Sequence, residues 1–391
     1  MKTLVELYDP QNILKNIMVP YIFTPDRVIF LCDGREESKV GVEKLKTALT
    51  ERFPKMAVFS EVLENSEQVF PLCEKLISVY PDPVFDLSGG TDAVGFAVAL
   101  FCHTRVRPCI CVDWQQRTLL CSEAAEKYRA EFRIPELSIE DILRASGAAL
   151  QRKMHETPKK EWYDALTTFY EETLRSPKDW LLTCKYLQLM AAKAENEGHP
   201  MSFTGNTVIT DRGNKVLRCH PDFMNLAYRL GFLKKLEWKK ATVSMTFADK
   251  TILRYLTSQG TWLELYVYIT AMKSGRFHDC RMSVVIDWDG IFLKRDNVIN
   301  EIDVLLMRGA RPVFISCKTS VPNTENLNEI YLYAKRLGGS HAKAMLVTTQ
   351  DVKKQSPTVY LRAKELGVIL VERDDLLKEN GLLHILEEIR G

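Results

Sequence analysis

Residues 300–320, NEIDVLLMRGARPVFISCKTS, place two carboxylates, a short break and a lysine inside one run of strand-forming residues. Glu301-Ile302-Asp303-Val304-Leu305-Leu306 and Val313-Phe314-Ile315-Ser316-Cys317-Lys318 read as two strands, separated by Arg308-Gly309-Ala310-Arg311-Pro312. Successive side chains of a strand alternate faces, so Glu301 and Asp303 share one face and Phe314, Ser316 and Lys318 share another. A two-residue turn at Gly309-Ala310 predicts an antiparallel register with Asp303 opposite Ser316 and Glu301 opposite Lys318. Opposed side chains in such a pair lie roughly 5 Å apart at Cβ, close enough for one small ionic site.

Two chemistries fit this hairpin. One is a cross-strand salt bridge decorating a sheet. The other is metal-assisted phosphodiester cleavage, in which carboxylates hold Mg²⁺ or Mn²⁺ and a strand-borne lysine orients water or neutralises developing charge. Ile302, Val304, Ile315 and Cys317 read as buried, and charges on a buried hairpin need partners or a metal, which favours the second.

Working towards the N-terminus, 28–33, 56–59, 84–87 and 109–112 read as buried strands, with helical stretches at 40–52, 66–79 and 92–103 between them. That alternation predicts a parallel sheet covered by helices on both faces, with any ligand outside the carboxyl ends of the strands. At one such end stands Asp86-Leu87-Ser88-Gly89-Gly90-Thr91-Asp92. Paired glycines there let the backbone approach a ligand closely, while Ser88, Thr91 and the N–H groups of a helix start suit phosphate or ribose oxygens.

Length and composition bound the rest. A chain of 391 residues with 46% hydrophobic content predicts two or three domains. A net charge of +2 argues against a constitutive high-affinity nucleic-acid binder, although local patches still steer a polyanion. The ten cysteines form no CxxC pair and no zinc spacing, so they read as reduced thiols of a cytoplasmic protein; no signal peptide or membrane-spanning run is expected. Between about 125 and 255 the pattern is largely helical, with helices expected over 139–151, 160–175, 180–197 and 223–230. Lys234-Lys235 and Lys239-Lys240, followed by the strand-like 241–247, suggest a helix-and-wing element or a spacer with a basic face. A last helix over 326–337 and strands at 344–349 and 368–371 complete an α/β pattern.

These motifs resemble a known family. Asp303 and Lys318 resemble the first acid and the lysine of the restriction-endonuclease-like PD-(D/E)xK motif; Ser316 stands where that motif has its second acid. Gly260-Thr261-Trp262-Leu263-Glu264-Leu265-Tyr266 resembles the first helix of that domain in the CRISPR ancillary nucleases activated by cyclic oligoadenylate, the Card/Can family. Ser88-Gly89-Gly90-Thr91 resembles the Gly-Gly-Thr signature of the CRISPR-associated Rossmann fold (CARF) sensor, where Asp92 replaces the lysine or polar residue of many relatives. The opening 4–16, with its loop at Asp9 to Asn12, and the strand ending at Asp33 also look like that sensor.

The resemblance implies an α/β chain with a CARF domain over 1–125, a mainly helical segment over 126–255 and a nuclease domain over 256–391. It implies a metal-dependent endonuclease of type III CRISPR defence cutting DNA or RNA, with Mn²⁺ or Mg²⁺ on Asp303, Glu264 and the main-chain carbonyl of Cys317. Glu301, Ser316 and Lys318 complete the catalytic set, and Glu301, Glu264 or Asp287 replaces the acid missing at Ser316. Asp9, Asn12, Asp33, Ser88, Gly89, Gly90, Thr91 and Asp92 are implied to bind the activator, cyclic tetra-adenylate by best match. A rotationally symmetric ring further implies a homodimer, whose two nuclease domains move relative to one another when the ring binds. The competing reading, kept open by Ser316, is an impaired sensor that binds nucleic acid or a protein partner without cutting.

Overall fold

The computed structural model describes residues 2–114, 116–151, 157–258, 260–288 and 299–390. The chain opens with β1 (Thr3–Leu7), α1 (Ile13–Phe23), β2 (Arg27–Cys32), α2 (Glu36–Arg52), β3 (Ala57–Val62), α3 (Val69–Val79), β4 (Val84–Asp86), α4 (Asp92–Thr104), β5 (Cys109–Asp113) and β6 (Thr118–Cys121). These six strands form one sheet in the order β3-β2-β1-β4-β5-β6, parallel except for β6. Every residue of β1 is buried, as expected of a central strand covered on both faces by crossover helices. The strand order reverses between β1 and β4, so the crevice of this doubly wound sheet opens where the loops 8–12 and 87–91 leave them.

Beneath that crevice, Glu6 of β1 lies beside Asp86 of β4 in the parallel register. Both are buried. Burial first, and the Asp86 charge second, push the Glu6 carboxyl well above its usual range, while burial raises Asp86 to about 6. A carboxyl whose folded pKa is raised stabilises the fold fully below its unfolded value, about 4.3, and loses that contribution as pH rises through the folded value. Glu6→Gln, which stays neutral, is therefore expected to raise the melting temperature, and to raise it more at pH 8 than at pH 5. Melting curves of both proteins at the two pH values check this; a gain larger at pH 5 would refute it.

After β6 come α5 (Lys127–Glu131) and α6 (Ile139–Ser146). Ser138 and Asp141 cap α6 reciprocally, and Gly147 stops it at φ +76°. The helix expected over 139–151 is thus shorter, because the chain turns at Gly147 into β7 (Ala149–Leu150), an edge strand on the C-terminal sheet. Then follow α7 (Tyr163–Arg175), α8 (Pro177–Asn196), β8 (Ser202–Asn206), β9 (Val208–Thr210), β10 (Val216–Arg218), α9 (Pro221–Arg229), β11 (Leu233–Lys239) and β12 (Thr242–Phe247). The β11–β12 hairpin, preceded by α9, carries the lysines 234, 235, 239 and 240 on its exposed side; Lys235 pairs with Glu237 at 3.0 Å.

The C-terminal part contains α10 (Lys250–Thr257), α11 (Thr261–Ser274), β13 (Asp279–Asp287), β14 (Ile299–Arg308), β15 (Arg311–Lys318), α12 (Thr324–Gly338), β16 (Lys343–Thr348) and β17 (Ile369–Val371), with four short helices among and after the last strands. Its six-stranded sheet runs β17-β16-β15-β14-β13-β7, antiparallel at β14 and parallel from β15 to β17.

Two large cores hold the molecule, and neither respects a simple division by sequence. One face of the N-terminal sheet, α1, α2 and α6 share a continuous core with Val284, Ile286, Ile302, Leu305, Phe314 and the buried side of α12. The other joins α7 to α11 to the opposite face of the C-terminal sheet. Trp114 of the N-terminal part stacks on His341 of the C-terminal part, ring centres 4.0 Å apart. Burial, then Lys15 and Arg311, lower His341 to about 3, so it packs as a neutral ring.

Candidate active site and activator crevice

The hairpin β14–β15 closes with Gly309-Ala310 as its two central residues, Gly309 at φ +61° and Arg308 facing Arg311. The pairs run from there to Val304 facing Ile315, which continues to Asp303 opposite Ser316, the register expected from the sequence. At Asp303 the carboxylate intrudes into the ladder. Its Oδ2 accepts the Cys317 N–H at 2.6 Å and the Ser316 hydroxyl at 3.3 Å, and lies 3.5 Å from the Lys318 ammonium.

The sheet reverses its faces at this point. Met282 and Val304 enter one core while Val284 and Ile302, of the same parity on the same strands, enter the other. Between them Ser283 takes φ +50°, a conformation rare for a side-chain-bearing residue, at the position facing Asp303. Its hydroxyl donates to Glu264 Oε2 at 3.2 Å, so α11 brings a second carboxylate toward Asp303 from the other side. Burial, followed by the Asp303 charge, raises Glu264 to about 7. Two carboxylates whose charges resist coexistence, with one lysine nearby, make a place where a divalent cation relieves the repulsion.

A cleft of about 30 Å³, room for a single ion or water, is lined by Glu301, Ile302, Asp303, Ser316, Lys318, Glu329, Ile330 and Tyr333; Glu264 is not among its lining residues. Glu329 and Tyr333 come from α12 and had no separate signal in the sequence beyond the polar side of that helix. The Tyr333 hydroxyl donates to Glu329 Oε1 at 2.6 Å. Glu301 is exposed at the mouth. Asp287 does not belong here: it is buried and faces Ile299, four residues along β13 from Ser283, roughly 13 Å at strand rise. Among the described residues no group of three His, Cys, Asp or Glu side chains is arranged to hold a metal. Asp303 and Glu264 are the two carboxylates whose charges act on one another here, and the Ser316 hydroxyl is a neutral and weaker oxygen donor.

The crevice residues lie together at the carboxyl ends of β1, β2 and β4, though several are already committed. The Asp9 backbone N–H donates to Asn16 Oδ1 at 2.8 Å, Asn16 Nδ2 returns a bond to the Asp9 carbonyl, and the Asp9 carboxylate accepts the Gln11 N–H and pairs with Lys15 at 3.3 Å. This knot shapes the loop. Ser88, expected to meet phosphate or ribose, instead donates its hydroxyl to Asp86 at 2.6 Å and accepts the Val112 N–H at 2.9 Å; it pins the turn. Gly89 passes so close to β1 that a Cβ there would sit 2.1 Å from the Leu7 carbonyl oxygen, and Gly90 has φ +74°. Thr91 caps α4, leaving Asp92 exposed in its first turn. Asp33 is held by the backbone N–H and guanidinium of Arg35. Asn12 is buried against Gly339 from the C-terminal part.

Residues 249–388 match the family model of the Card1-like endonuclease domain. Over the whole chain the fold is similar to that of protein VC1899 from Vibrio cholerae, with TM-score 0.75 and 18% identity over 99% of this chain and 97% of that one. It is also similar to Can2 from Sulfobacillus thermosulfidooxidans, solved in complex with cyclic tetra-adenylate, with TM-score 0.69 and 17% identity over the full length of both. No curated protein sequence matches the chain significantly. The N-terminal parallel sheet, the largely helical middle and the C-terminal α/β part are therefore the architecture of Can2. No helix among the described residues is long and apolar enough to cross a membrane.

Proposed function

We propose that this chain is a nuclease of type III CRISPR defence, activated by cyclic oligoadenylate, cyclic tetra-adenylate first, and acting on phosphodiester bonds of DNA or RNA. The observation that carries the reading is the convergence of Asp303, Glu264 and Lys318 within a Card1-like endonuclease domain, in a chain whose other half presents a doubly wound sheet with a glycine-lined crevice.

Asp303 and Glu264 would hold Mn²⁺ or Mg²⁺, with the Cys317 carbonyl as a neutral donor; the ion would polarise the scissile phosphate and lower the pKa of a water bound to it. The protein's own groups do the rest. Lys318, 3.5 Å from Asp303, directs its ammonium toward the site where charge accumulates on phosphate. The Cys317 N–H and the Ser316 hydroxyl fix the orientation of the Asp303 carboxylate. Glu301 and the Glu329–Tyr333 pair border the entrance, where a phosphodiester must pass.

The active unit in this reading is a homodimer. Beside the Gly-Gly-Thr turn, α4 exposes Phe96 (73%) and Leu100 (47%), one helical turn apart, an apolar stripe that a second copy would cover while bringing two crevices around one ring. Purified protein mixed with labelled DNA and RNA, with and without Mn²⁺ and with and without cyclic tetra-adenylate, tests the function. Cleavage requiring both additions is expected. Absence of cleavage under every combination, with the ring still bound, would favour the non-cutting sensor.

A further inference from the structure

A second cleft opens at the far end of α12. Its volume is about 490 Å³, and it lies between the loop that follows β1, with Asp9, Asn12 and Lys15, and the C-terminal end of α12, with Lys335, Arg336 and Gly339. Among these the cations outnumber the acids. Asp9 is paired with Lys15 at 3.3 Å, so Lys335 and Arg336 supply the surplus positive charge. The Arg336 guanidinium lies 4.0 Å over the Trp288 ring, which fixes its position at the rim.

Asn12 is the second, independent observation. It is 5% exposed, stands at the N-cap of α1 without capping it, and its Oδ1 has no hydrogen-bond partner. A buried acceptor left unsatisfied is costly, and most such groups in folded proteins are paired. A ligand carrying phosphates together with amine or hydroxyl donors would satisfy both features at once.

We infer that part of the cyclic oligoadenylate ring occupies this cleft, so that the nuclease half of each chain touches the activator directly through Lys335 and Arg336. This rests on the proposed function and deepens it. Glu329 and Tyr333, on the same helix, border the Asp303 cleft. Glu329 and Arg336 are separated by about 10 Å of helical rise. One rigid helix therefore meets activator at its C-terminal end and the catalytic cleft one to two turns earlier, and a displacement of its C-terminal end moves the Glu329–Tyr333 pair with it.

Calorimetric titration of cyclic tetra-adenylate into the full-length protein tests this, using Lys335→Glu, Arg336→Gln and the control Lys364→Glu, with melting curves to verify folding. Lys335 is exposed and outside the catalytic cleft, so Lys335→Glu is expected to fold and to melt like the parent protein. Lys335→Glu and Arg336→Gln are each expected to weaken binding roughly tenfold or more, since each removes a charge-assisted contact to phosphate. Lys364→Glu is expected to bind like the parent. Equal affinity in the parent and both cleft variants overturns this inference and leaves the activator assignment standing. Equal weakening by Lys364→Glu overturns it too, since the effect would then be one of general charge. No binding by the parent protein refutes the activator assignment itself.

Discussion

Asp303→Asn is expected to lower activator-dependent cleavage by roughly 10³-fold while leaving activator binding unchanged. Asp303 is where the site converges: one oxygen receives the Cys317 N–H, the Ser316 hydroxyl and the Lys318 ammonium. An asparagine oxygen still accepts the Cys317 N–H, so the hairpin keeps its shape. What disappears is the negative charge that would bind a hard cation and orient Lys318, and Ser316 offers no carboxylate to replace it. The stability cost is small, about 1 kcal/mol for a pair in which both partners are partly exposed to solvent. Lys318→Ala is expected to cost nearly as much cleavage. Rates measured across a Mn²⁺ titration, alongside cyclic tetra-adenylate binding, decide the matter. If Asp303→Asn cuts like the parent protein, the hairpin is a salt-bridged piece of sheet and the mechanism is wrong.

The second large effect is expected at Gly89. A Cβ there would meet the Leu7 carbonyl oxygen at 2.1 Å, and because that neighbour is backbone in a central strand, the turn must move instead. Ser88, tied on one side to Asp86 and on the other to Val112, resists the movement, so strain collects in the crevice. Gly89→Val is expected to weaken cyclic tetra-adenylate binding on the order of 100-fold and to abolish activation. Gly95→Ala on the following helix is the matched control. Nothing lies within 4 Å of the Cβ it would add, so binding is expected to be unchanged and stability slightly higher. Full activation of Gly89→Val would place the activator elsewhere.

What the sequence disclosed depended on how local the determinant was. The hairpin register followed from a two-residue turn with glycine first, and the structure has that register. The alternating strands and helices of the N-terminal part were equally legible, because each strand is an apolar run bounded by turn residues. The strand expected at 56–59 is not buried throughout, however: β3 lies at the edge of the sheet and exposes Phe59 and Val62. Asp287 was misplaced because chemical type and proximity in sequence say nothing about four residues of strand rise. The face reversal at Ser283 and Asp303 was invisible. Strict alternation is the assumption behind reading a strand, and nothing in Arg281-Met282-Ser283-Val284 marks a left-handed residue. Glu329 and Tyr333 were missed for a different reason: they reach the cleft only through the packing of α12 across the sheet. Ser88 stands where expected, and a hydroxyl suited to phosphate is equally suited to the carboxylate two residues before it, to which it donates.

The core common to the first sheet and the last one has a bearing on how such chains diversify. A chain whose two ends share one interior resists the exchange of either half for another. Here Phe30, Leu14 and Met18 from the beginning of the chain pack in the same interior as Phe314, Leu327 and Leu337 near its end. A transplanted effector would have to reproduce that surface residue by residue or leave it wet. Lineages built this way are expected to change their targets by editing loops and the residues lining the cleft, and to inherit the two halves as one piece.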